Sequence, residues 1–133
     1  MEDFILKEGL KGTASAFVSE DNTALKYGSG TVKVFSTPAM IGLMEKAAIL
    51  AVDKLLPEGM ATVGTKIEVR HLAATPLKMG VTANAVLEEV DGKKLKFRIE
   101  AFDEVEKIGE GSHSRYIIKL DDFISKTEEK IKK

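Results

Sequence analysis

Thr37, Glu45 and His71 are the residues of this 133-residue chain whose types could do chemistry together. A carboxylate and an imidazole on facing layers can hydrogen-bond and shift each other's proton affinity into a range useful for proton transfer. A hydroxyl at a helix start can orient either group, and the helix N-terminus itself can polarise a carbonyl. Each residue also has a plain structural reading: Thr37 as an N-cap, Glu45 as the rim partner of a lysine, His71 as a satisfied residue on an inward strand face. Eight residues separate Thr37 from Glu45, roughly 12 Å along a straight helix. One site using both needs the Thr37 hydroxyl to project from the preceding turn, or a ligand that spans the gap.

The element that must position two of them covers residues 35–56. Thr37 suits an N-cap and Pro38 the first helical position, which predicts a helix from there to the Pro57-Glu58-Gly59 break. Its apolar residues cover almost every face, as in a buried helix. Glu45, Lys46, Asp53 and Lys54 interrupt the run before the ~20 apolar residues that a bilayer requires, so the helix belongs to a protein core and no membrane is expected. Glu45 sits among Leu43, Met44, Ala47 and Ala48, where an unpaired charge is costly to bury.

Around this helix the pattern has period two. Residues 9–19 alternate moderately as a strand, and Glu20-Asp21-Asn22 turns it. A glycine-rich loop at residues 27–30, placed to cover a site, leads through a short extended piece at 31–35 into the helix. Beyond the helix, residues 61–72 set Ile67, Val69 and His71 against Lys66, Glu68 and Arg70, which turns His71 inward. Thr75-Pro76 closes that strand. Strands follow at 81–90 and 94–103, joined by the hairpin signal Asp91-Gly92. The last runs over 107–120, where Gly109 and Gly111 mark a bulge or a close backbone approach. A polar helix from Asp121 to Ile131 ends the pattern. One strand, a long helix and four consecutive strands give an α+β architecture, an antiparallel sheet with the helix on one face. A sheet covers such a helix on one side only, so self-association is expected to cover the other.

Composition narrows the function classes. A chain this long builds one domain, spanning residues 1–133, with its own core. It has no cysteine, which removes disulfides and thiolate chemistry, and two histidines leave little for a metal site. With 20 basic and 21 acidic residues the net charge is -1, and no field gathers nucleic acid. The run Lys130-Ile131-Lys132-Lys133 reads as a solvated helix end. No basic start or long apolar segment opens the chain, so nothing signals export and a cytoplasmic location is expected. The Gly28-Ser29-Gly30 and Gly109-Glu110-Gly111 stretches lack the strand-to-helix setting of a phosphate loop.

Three blocks, FSTPAMIGLME at 35–45, VGT at 63–65 with VRHLAATP at 69–76, and IGEGSHSR at 108–115, together resemble the fluoroacetyl-CoA thioesterase family. This is a branch of the hotdog-fold thioesterases, and the resemblance extends over roughly residues 31–125. It implies a hotdog fold, an antiparallel sheet wrapped around a long central helix with a short C-terminal helix. By motif position it implies a catalytic set of Thr37, Glu45 and His71, a glycine beside the thioester at Gly64, and an arginine near the acyl end of the pocket at Arg115. Arg115 reads equally as a surface ion pair. The implied reaction is hydrolysis of an acyl-CoA thioester to free acid and CoA, with no cofactor beyond the coenzyme A of the substrate. The implied assembly is a homodimer, or a higher homo-oligomer, with two sheets joined edge to edge and sites at the interface. The fluoroacetyl-specific member carries lid phenylalanines where this chain has Tyr27-Gly28-Ser29-Gly30-Thr31, which counts against fluoroacetate discrimination. Pro38 stands where that member has glycine, which stiffens the turn holding Thr37. The rival readings are an acyl-CoA binding protein without turnover and an enoyl-CoA hydratase, whose Asp/His segment is not found in the sequence.

Overall fold

The computed structural model describes residues 5–132. Residues 1–4, part of the stretch read for an export signal, and Lys133 of the basic run lie outside the described residues. Five strands and three α-helices follow one another: β1 (Lys11–Phe17), α1 (Ala24–Tyr27), α2 (Thr37–Val52), β2 (Met60–His71), β3 (Gly80–Asp91), β4 (Lys94–Asp103), β5 (Lys107–Lys119) and α3 (Leu120–Glu128). All pairings are antiparallel, and the sheet order is β1-β3-β4-β5-β2. One long helix packs against one antiparallel sheet with a short C-terminal helix after it, and α1 is a further short turn of helix just ahead of the glycine-rich stretch.

The sheet curls around α2. Met40, Met44, Ala47 and Val52 are fully buried or nearly so against Leu87, Phe97, Ile99 and Ile108 from the strands. Each large side chain removed from water contributes about 1.5–3 kcal/mol, which makes this layer the main source of stability. Close approach on the β1 side depends on small residues. A Cβ at Gly12 would lie 2.6 Å from the Ala51 amide nitrogen, so only glycine lets β1 lie against the helix backbone.

The helix begins one residue earlier than its caps suggested. Ser36, not Thr37, is the N-cap, its hydroxyl accepting from the Ala39 amide at 3.1 Å. Thr37 is thus the first helical residue, and its hydroxyl is free for another partner. At the other end α2 stops at Val52, and a 3-10 turn (Asp53–Leu55) replaces the last helical turn expected before Pro57. The Asp91-Gly92 hairpin forms as read, with Gly92 at φ +63°, the left-handed region that turn needs. Both alternatives for Gly109 and Gly111 occur: a Cβ at Gly109 would fall 2.5 Å from the Met40 sulfur, and the β4–β5 register slips beside it, where Ala101 faces Gly109 but Phe102 faces Lys107. The β2–β5 ladder slips as well, between Gly64 and Lys66.

Among the described residues, α2 and β2 each leave a surface uncovered. Pro38, Gly42, Lys46, Ile49 and Leu50 lie exposed along the far side of α2, which is the open face expected of a helix with one sheet. Strand β2 pairs with β5 alone and leaves its other backbone edge free over 12 residues. Long free edges invite a further strand. Among the described residues no helix is long and apolar enough to cross a membrane, and no cluster of three His, Asp or Glu could hold a metal.

Candidate functional site

Thr37 and His71 meet. The Thr37 hydroxyl lies 2.7 Å from His71 Nδ1, joining the first turn of α2 to the end of β2. Moving the cap to Ser36 is what makes this bond possible, because a capping hydroxyl would be turned to the helix amides. Burial pushes the His71 pKa below its ordinary 6.5, so the imidazole is neutral at neutral pH. Its Nε2 is buried with no hydrogen-bond partner among the described residues. A cleft of about 400 Å³ opens beside the pair, lined in part by Ala24 and Ser29 of the loop region, Phe35, and Ala73 beyond β2. The loop therefore borders the pair, where its composition placed it.

Glu45 lies elsewhere, over β2 at Gly64. A Cβ there would come within 2.9 Å of Glu45 Oε2, 3.2 Å of His113 Cε1 and 3.4 Å of Arg115 Nη1. Glycine at 64 leaves room for the carboxylate to reach the strand backbone. Arg115 is only 4% exposed, so it is not the surface residue its alternative reading allowed. Its Nη1 is 3.8 Å from Glu45 Oε2, inside ion-pair range and outside hydrogen-bond range.

The arginine has closer partners. Its Nε donates to Thr62 Oγ1 at 2.7 Å, and its Nη2 donates to the Thr62 carbonyl at 2.9 Å. The Thr62 hydroxyl in turn donates to Asp53 at 2.7 Å, and the Thr62 amide donates to the same carboxylate at 3.1 Å. His113 completes the set. Its Nδ1 donates to the Lys66 carbonyl at 2.7 Å, which leaves Nε2 of the neutral ring to accept from Arg115 Nη1 at 3.1 Å. Burial lowers the His113 pKa and the Arg115 charge adds to this, against the opposing pull of the Lys66 carbonyl and Glu45. Burial likewise lowers the Arg115 pKa, countered by Asp53 and Glu45.

The five residues expected from the sequence thus fall into two groups: Thr37 with His71, and Glu45 with Gly64 and Arg115. Seven residues of β2 separate Gly64 from His71, roughly 23 Å of extended strand. No hydrogen bond joins Glu45 to His71 among the described residues, and the two groups stand apart within one chain. Asp53, Thr62 and His113 escaped the sequence reading. Alternation along β5 puts His113 on the same face as Arg115, a signal that was available. A cleft of about 480 Å³ lies on the outer face of the sheet among ion pairs such as Arg70–Glu110 and Lys107–Glu100, and borders neither group.

Comparison with known proteins shows the family and the fold. The model of the fluoroacetyl-CoA-specific thioesterase family matches residues 18–121. The chain belongs to that family. It is 43% identical over 98 residues to the fluoroacetyl-CoA thioesterase of Streptantibioticus cattleyicolor, covering 74% of this chain and 70% of that protein. Among solved structures it is similar to a threonine-to-serine mutant of a fluoroacetyl-CoA thioesterase in complex with acetyl-CoA, at TM-score 0.89 and 35% identity, covering 94% of this chain and 98% of that one. A hot-dog-like protein from Thermanaerovibrio acidaminovorans superposes at TM-score 0.85 with 25% identity, covering 94% and 93% of the two chains. The curled five-stranded sheet around α2 is the hotdog fold shared by the family.

Proposed function

We propose that this protein hydrolyses an acyl-CoA thioester to free acid and CoA, at a site assembled from two copies of the chain. Membership of a thioesterase family supports the reaction class, and one observation carries the site: the Glu45 carboxylate lies over Gly64 beside a buried arginine, with no hydrogen-bond partner among the described residues. Glu45 either attacks the thioester carbonyl or takes a proton from the attacking water. The Gly64 amide donates to the oxyanion that develops, Arg115 supplies positive charge at the acyl end, and Thr37 orients His71. His71 moves protons and assists departure of the thiolate. The carbon–sulfur bond breaks, a carbon–oxygen bond forms, and the proton of water ends on sulfur.

A second copy would bring the two groups together. Antiparallel pairing of two β2 edges about a two-fold axis near Ile67 sets His71 opposite Val63, next to Gly64 of the partner subunit. The free β2 edge, the exposed face of α2 and the unpartnered Nε2 of His71 all favour this homodimer over an isolated chain. The Tyr27-to-Thr31 loop offers no phenylalanine to the cleft, so we expect hydrolysis without strong preference for the fluoroacetyl group. A cytoplasmic location and a reaction without a cofactor remain parts of the same proposal.

Incubating the purified protein with acyl-CoA esters of increasing chain length and measuring free thiol tests the reaction. Release above background supports a thioesterase; binding of the esters with no release overturns it in favour of a non-catalytic binder.

A further inference from the structure

Asp53 occupies an awkward place. It caps the C-terminus of α2, where the helix dipole disfavours a negative charge, and this acidic residue starts the 3-10 turn there. What retains the carboxylate is Thr62, which gives it both a backbone and a side-chain proton. A hydroxyl has one proton to give. Once that proton points at Asp53, the Thr62 oxygen can only accept, and what it accepts from is Arg115 Nε. On the opposite flank the Lys66 carbonyl fixes the His113 tautomer in the same way, so His113 Nε2 also accepts from the arginine.

The guanidinium is therefore held on three of its N–H groups by neutral acceptors: Thr62 Oγ1, the Thr62 carbonyl and His113. Of the two carboxylates that act on it, Asp53 is linked to it through the Thr62 hydroxyl, and Glu45 stands off at 3.8 Å. An unrestrained arginine beside a carboxylate closes to about 2.8 Å and pairs in a fork. Such a fork would occupy the lone pairs that Glu45 needs for substrate or water.

We propose that Asp53, Thr62 and His113 are positioning residues that hold the Arg115 guanidinium short of direct contact with Glu45, keeping that carboxylate free to act. The role rests on Glu45 serving the reaction described above. It gives the buried arginine a second function, as a fixed positive charge that polarises the site without quenching its base.

Thr62→Val keeps the shape of the side chain and deletes the hydroxyl; Thr62→Ser keeps the hydroxyl. In Thr62→Val, kcat is expected to fall about 10²-fold, the scale of a 1 Å misplacement, with a much smaller change in KM. The acid limb of its pH–rate profile is expected to move to lower pH, because a directly paired carboxylate is harder to protonate. Thr62→Ser should restore most of the rate and the position of that limb. Asp53→Asn should act in the direction of Thr62→Val. A merely structural loss would reduce the folded fraction and leave the limb in place, and that result overturns the proposal, as does an unchanged Thr62→Val enzyme. Should the parent protein release no thiol at all, the thioesterase reading fails, and crystal structures of Thr62→Val and the parent decide the restraint by themselves. Contraction of the Arg115–Glu45 separation to about 2.8 Å in the variant supports it, and an unchanged separation overturns it.

Discussion

The Thr37 hydroxyl and His71 Nδ1 lie 2.7 Å apart across 34 residues of sequence, which ties the start of the central helix to the last residue of an edge strand. Neither residue is needed to begin its element. Ser36 caps the helix, so the Thr37 hydroxyl is spent entirely on the imidazole.

That division of labour between adjacent hydroxyls can be measured. Ser36→Ala is expected to cost about 1 kcal/mol of stability, the usual loss for a helix cap, with little change in the rate per folded molecule. Thr37→Val should do the reverse, lowering kcat/KM by tenfold or more while the thermal midpoint hardly moves. Melting curves and thiol-release kinetics on both variants check this. Equal effects on rate and stability in the two would show that the hydroxyls share one role.

Gly64→Ala places a methyl 2.9 Å from Glu45 Oε2 and 3.2 Å from His113 Cε1. The first of these atoms ends a flexible side chain, so the carboxylate can swing aside and the fold is expected to survive. The position of Glu45 is not. A large fall in kcat with a normal circular dichroism spectrum is the expected outcome, and full activity would mean that Glu45 does not work from where it lies over β2.

Acid should loosen the fold through its two histidines. Burial lowers the pKa of both His71 and His113 in the folded chain, from an ordinary 6.5, so the unfolded chain binds protons that the folded chain refuses. Their contribution is fully present above 6.5 and is lost as pH falls from there through the folded values. The thermal midpoint is therefore expected to drop between about pH 7.5 and about pH 5.5, before most carboxylates titrate. His113→Gln should flatten the drop, because it removes one of the two groups that must charge. A midpoint that stays constant over this interval would contradict the burial of both rings.

How much of this was legible in the sequence follows the range of the interactions. Strand β4 runs from Lys94 to Asp103 as its alternation and the Asp91-Gly92 turn require, because both signals are local. Ser36 and Thr37 are both residue types that cap helices, and the cap falls on Ser36 while Thr37 bonds the distant His71, a contact that no local pattern encodes. That β2 would leave its neighbour β3 and take the far edge beside β5 depends on contacts between remote segments, and no periodicity encodes it. His113 and Arg115 share a strand face by simple alternation, yet their partners Thr62 and Asp53 come from another strand and a helix end. The restraint on the arginine is thus a property of the fold rather than of any motif.

The separation of Glu45 from His71 yields the most decisive expectation. Glu45→Gln removes the charge and keeps the shape, and its loss of rate should be about 10²–10⁴-fold if it serves as a general base, or more if it is the nucleophile. His71→Ala should also be nearly inactive. If each site takes Glu45 from one copy and His71 from the other, a dimer of one Glu45→Gln chain and one His71→Ala chain contains one site with both defects and one site with neither. Refolding the two inactive variants together in equal amounts gives about half heterodimers by random pairing, each with one intact site, so activity should return to roughly a quarter of the parent's. If both residues serve the site within a single copy, every site in the mixture carries one defect and no activity returns. Recovery after mixing, with none in either variant refolded alone, places the site across the β2 edge. A silent mixture whose dimers are shown by light scattering and mass spectrometry to have exchanged subunits would refute the shared site.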